Sequence, residues 1–151
     1  MLSTPLSALD IKGQILTPED TDYDRARTVF SGAIDRRPAL IARVTDADDV
    51  ARVIALARDT GTELAVRGGG HSVAGHGTSE GGIVLDLSAM RALDIDAERR
   101  TAWAETGLTA GEYTTAAHEH GLATGFGDAA RSGSAASRWP AASASSYAST
   151  A

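Results

Sequence analysis

Arg67-Gly68-Gly69-Gly70-His71-Ser72 follows directly on Glu63-Leu64-Ala65-Val66, and a second glycine-dense stretch, Val73-Ala74-Gly75-His76-Gly77, follows in turn. A strand that runs straight into three glycines gives backbone able to take positive φ and to pass close to a ligand. Successive exposed N–H groups in such a turn form a concavity that holds an anion, a phosphate or pyrophosphate above all. Arg67 adds a permanent charge at one end and His71 a nucleophilic, titratable ring at the other. The spacing is not that of a G-x-G-x-x-G fingerprint, because glycines rather than a helix start follow His71. The stretch reads as a ligand loop.

Working outward, Ala39-Leu40-Ile41-Ala42-Arg43-Val44 is a buried-strand run. Thr45 is placed to cap a helix, with Asp46, Asp48 and Asp49 in the first turn, where the dipole favours anions. Val50, Val53, Ile54 and Ala57 recur at helical spacing, and Gly61 ends the helix. The next strand then delivers the glycine loop, which makes a βαβ unit. Beyond the loop, Ile83-Val84-Leu85-Asp86-Leu87 is the clearest strand of the chain. A mid-strand carboxylate at Asp86 requires a partner, either backbone at the strand end or the N–H groups of the loop. Residues 94–100 and 101–105 read as a strand with its turn and a partner strand. Thr109 and Glu112 have capping-box spacing, predicting a helix to about His120 that stops at Gly121. Trp103 and Tyr113 are expected to be core or helix-face aromatics.

The loop and the segment Gly82-Ile83-Val84-Leu85-Asp86-Leu87-Ser88 together resemble the flavin-binding half of the FAD-linked oxidases, of the vanillyl-alcohol-oxidase and berberine-bridge-enzyme type. The resemblance covers roughly residues 38–128. It implies an α+β (mixed α/β) fold, the βαβ-containing N-terminal lobe of a PCMH-type FAD-binding domain, incomplete in this chain. It implies that Gly68, Gly69, Gly70, His71 and Ser72 hold the pyrophosphate of FAD, with Gly75 and Gly77 continuing the wrap. Arg67 takes a structural and electrostatic role near the cofactor. His71 becomes the site of covalent attachment to the flavin 8α-methyl, a reaction that needs the neutral imidazole. His76 is expected to be a surface-loop residue, Gly107 either a plain turn or a ligand contact, and Gly125 and Gly127 weak candidates for approach to the flavin.

Composition narrows the function further. The 151 residues carry 20 Asp and Glu against 14 Lys and Arg, a net charge of −6, which argues against a nucleic-acid footprint. There is no cysteine, hence no thiolate metal site, disulfide or cysteine nucleophile. His118 and His120 stand two apart and do not share a helix face, so no metal is expected there. The N-terminus lacks a basic, apolar signal pattern, and no stretch approaches the ~18 apolar residues of a membrane helix. The expected location is the cytoplasm and the expected partners are FAD and a small-molecule substrate.

Residues 1–37 read as a leader, with a helix expected from near Glu19, after Pro18. Residues 129–151 differ in kind: nine Ala and seven Ser among 23 residues, with no acid and no Val, Ile, Leu, Met or Phe. Such a segment is expected to be disordered, because it buries too little to offset its ordering entropy. Its codons, read one base out of register, can encode SVGIGGLTLAGGIGFLVRKHG from Arg131 onward, which resembles the family's next glycine-rich motif. A frameshift near residues 128–129 is therefore expected. As written, the chain is expected to bind FAD weakly or not at all and to lack turnover, since the family adds a second FAD-binding lobe and a substrate domain that supplies the catalytic base. A nucleotide-binding module without redox chemistry, or a non-functional fragment, are the other readings the residues leave open.

Overall fold

The computed structural model describes residues 9–125; Gly127 and the 129–151 tail lie outside them. A four-stranded sheet is built from β1 (Gln14–Leu16), β2 (Leu40–Arg43), β3 (Leu64–Arg67) and β4 (Ile83–Asp86), in the order β1-β2-β4-β3. β4 lies parallel to both β2 and β3, and β1 closes the far edge antiparallel to β2. The βαβ unit thus exists, with β4 inserted between its two strands. Helix α2 (Ala47–Thr60) makes the crossover.

The central strands are continuous apolar runs because both faces of the sheet are covered. Leu40, Ala42, Val44, Ile83 and Leu85 pack with Val53 and Ala57 of α2 on one face. On the other, Ile41, Val84 and Ala65 meet Leu16 and Tyr23. Tyr23 opens the short helix α1 (Tyr23–Arg27), and its buried hydroxyl donates to the Pro38 carbonyl at 2.6 Å. Residues before Pro38 therefore build part of the sheet and one of its covers.

Local details differ from expectation for identifiable reasons. Helix α1 begins at Tyr23 rather than near Glu19, because the Asp20 carboxylate accepts from the Thr17 N–H and hydroxyl and holds 17–20 as a turn. The N-cap of α2 is Asp46, whose side chain accepts from the Asp49 N–H; Thr45 instead donates its hydroxyl and N–H to the Asp49 carboxylate. Ile54 is exposed, and the buried stripe of α2 runs Asp49, Val53, Ala57. Gly61 closes the helix at φ 63°. The hairpin β5 (Leu93–Asp96) and β6 (Thr101–Ala104) is antiparallel as expected. Trp103 on it is 79% exposed, so it is not a core residue here. Helix α3 (Ala110–Glu119) starts with the full capping box of Thr109 and Glu112.

Candidate functional site

The register of the sheet places Arg43, Asp86 and Arg67 side by side, at the carboxyl ends of β2, β4 and β3. By the period-two alternation of strands they share the face that carries Ile41, Val84 and Ala65, the face under α1. The Asp86 carboxylate meets Arg67 Nη2 at 3.0 Å and Arg43 Nε at 3.4 Å, and accepts from the Ser88 N–H at 3.0 Å. Arg67 and Asp86 are both buried. Burial pushes the Asp86 carboxyl up, but the Arg67 charge and the bonds from Ser88 and Arg67 outweigh it and leave the group below the usual carboxylate range. The partner that Asp86 required is thus Arg67, with Arg43 in support.

Above this row lies a cleft of roughly 210 Å³. Gly68, Gly69 and Gly70 form one wall, α1 and the residues after it (Ala26, Thr28, Phe30) the other, and Arg67 and Asp86 contribute to its lining. This is the carboxyl-end position at which open parallel sheets take ligands. Two features make the cleft suited to an anion. Among the described residues, none accepts a hydrogen bond from the N–H groups of residues 68–74. Arg67 Nη1 is buried and has no partner among the described residues, although its neighbour Nη2 is satisfied by Asp86. A cleft lined by the unbonded peptide N–H groups of Gly68, Gly69 and Gly70, with the Arg67 guanidinium set in its floor, fits a diphosphate.

The predicted site residues separate into two groups. Arg67, Gly68, Gly69 and Gly70 line the cleft. His71 stands beside it, its ring stacked on Phe30 with centroids 4.9 Å apart and an interplanar angle of 22°. Ser72, Gly75 and Gly77 are not among the lining residues and shape the return of the loop. The Ser72 hydroxyl accepts from the His76 N–H, and the Gly75 N–H donates to the Ser72 carbonyl. Gly75, at φ 75°, packs on Ile34, and a Cβ on Gly77 would lie 3.6 Å from the Arg67 stem. Phe30 and Arg43 were not legible as site residues: Phe30 lies 41 positions before His71, and only the strand order brings Arg43 to Asp86.

The FAD binding domain family matches residues 38–150, and the chain belongs to it. Within that family its relatives are the FAD-linked oxidases of the vanillyl-alcohol-oxidase and berberine-bridge type, and the cofactor is FAD. It is 40% identical over 122 residues to (R)-6-hydroxynicotine oxidase of Paenarthrobacter nicotinovorans, covering 81% of this chain and 26% of that protein. It is 31% identical over 120 residues to berberine bridge enzyme-like 18 of Arabidopsis thaliana, covering 74% and 23%. The crystal structure of 6-hydroxy-D-nicotine oxidase from Arthrobacter nicotinovorans superposes with a TM-score of 0.83 at 36% identity, over 86% of this chain and 29% of that one. The chain spans about a quarter of the length of these curated relatives.

Proposed function

We propose that this chain forms one wall of the FAD site of an FAD-dependent oxidoreductase acting on a small organic substrate. The observation that carries this reading is the N–H groups of Gly68, Gly69 and Gly70, which line the cleft and, like the buried Arg67 Nη1, have no partner among the described residues. Gly68, Gly69 and Gly70 would bind the pyrophosphate through their peptide groups, and Arg67 would donate to it while Asp86 keeps the guanidinium in place. Bound FAD supplies two-electron redox chemistry, taking a hydride from an alcohol, amine or sugar-like carbon. The relationship to oxidases named for 6-hydroxynicotine supports a substrate of that size.

His71 is the residue for covalent attachment. Its neutral imidazole would supply the nucleophilic nitrogen for a bond to the flavin 8α-methyl carbon, an oxidative linkage that would release two protons and two electrons, with dioxygen as the final oxidant. The test is incubation with excess FAD followed by acid precipitation. Wild type is expected to retain yellow flavin in the pellet, and His71→Ala to release all of it while keeping its fold by circular dichroism. Flavin bound reversibly by both proteins would remove the covalent role and leave the cradle.

A further inference from the structure

We infer that Phe30 is a positioning residue for His71, acting through a strap of residues 28–36 that clasps the glycine loop. The inference rests on the reading of His71 as the attachment residue. Among the described residues the His71 ring makes no hydrogen bond and no ion pair, so nothing polar fixes its plane. The Phe30 ring does so: it lies nearly parallel to the imidazole, 22° off, at 4.9 Å. A stacked contact constrains the faces of an imidazole and leaves its edges, where both nitrogens sit, open. That is the arrangement a nucleophilic ring nitrogen needs at the mouth of a cofactor cleft.

The strap itself is held at several points. Val29, directly before Phe30, is buried, and the Phe30 N–H donates to the Gly70 carbonyl at 3.2 Å, one residue from His71. Farther along, Ile34 packs against Gly75, and Arg36 Nη1 donates to the Gly75 and Thr78 carbonyls, both at 3.0 Å. The strap therefore grips the loop just before His71 and again four residues after it. Phe30 is nonetheless 70% exposed, so its ring contributes little to the core. An isolated exposed aromatic is ordinary by itself. One whose backbone is bonded to the ligand loop and whose ring covers the loop's nucleophile has a specific partner.

Phe30→Leu keeps apolar bulk and the backbone bond but removes the ring, and Phe30→Tyr restores it. Two readouts are taken on the purified protein. The first is NMR: cross-relaxation between the Phe30 and His71 rings in wild type, and an upfield ring-current displacement of the His71 ring protons that disappears in Phe30→Leu and returns in Phe30→Tyr. The second is the rate at which excess FAD becomes acid-stable, expected to fall about 2- to 10-fold in Phe30→Leu and to recover in Phe30→Tyr. His71 resonances unchanged by Phe30→Leu, or an attachment rate equal to wild type, would overturn the inference. If wild type never fixes flavin, the attachment reading fails, and the NMR arm still decides whether Phe30 holds the ring.

Discussion

Asp86 carries more of the site than any single residue of the glycine loop. It neutralises Arg67, takes Arg43 as a second partner and accepts the Ser88 N–H, so one carboxylate fixes the guanidinium of a residue that lines the cleft. Asp86→Asn would leave a buried guanidinium short of its counter-charge, and breaking such a pair costs about 3 kcal/mol. A urea titration should show that loss at neutral pH as a lower midpoint with an unchanged slope. The pH dependence has a definite sign. The carboxyl titrates lower in the folded state than in the unfolded chain, so its contribution is complete above the unfolded value of about 4 and fades as pH falls through the folded one. The difference between wild type and Asp86→Asn should therefore shrink in acid; a constant gap down to pH 2 would assign it to lost packing instead. From sequence, Asp86 could be seen to need a partner, but the partner follows from the strand order, which local patterns do not encode.

At the scale of elements, local chemistry was legible and long-range pairing was not. The capping box at Thr109, the αL glycine at Gly61 and the apolar strands are written in residues within a few positions of one another. The insertion of β4 between β2 and β3, and the return of the 28–36 strap to the loop, depend on contacts from 19 to 43 residues apart. Two glycines expose the difference quantitatively. Gly61 and Gly75 both sit in the left-handed region, at φ 63° and 75°, but nothing lies within 4 Å of a Cβ on Gly61, whereas one on Gly75 would stand 2.9 Å from Ile34 Cδ1. Gly61→Ala should cost only the conformational penalty, about 1 kcal/mol. Gly75→Ala should cost more, because Ile34 must shift as well. In an Ile34→Ala background that excess should disappear, giving a coupling of about 0.5 kcal/mol or more in a double-mutant cycle. Equal losses for both glycines in either background would show that the strap does not press on the loop.

For the whole molecule, the quantity that matters is how much of FAD this surface can reach. A cleft of roughly 210 Å³ is smaller than the ~300–1,000 Å³ of sites that enclose a drug-sized ligand. Its chemistry, free peptide N–H groups and one guanidinium, addresses the diphosphate rather than the isoalloxazine. Val66 and Val73, near the loop, are exposed, and among the described residues the cleft has a single glycine wall and a single helical wall. FAD and ADP share the diphosphate and adenosine, so the affinities isolate the contribution of the flavin ring. On His71→Ala, where covalent capture is impossible, the Kd values of FAD and ADP for this 151-residue chain should agree within about tenfold, or 1.4 kcal/mol. Both should weaken as salt rises, because the recognised group is an anion partly open to solvent. Adenosine, which lacks the phosphates, should bind far more weakly than either. If FAD instead bound a hundredfold tighter than ADP, the isoalloxazine would have a partner on this surface, and the wall described here would be enough to hold the reactive ring.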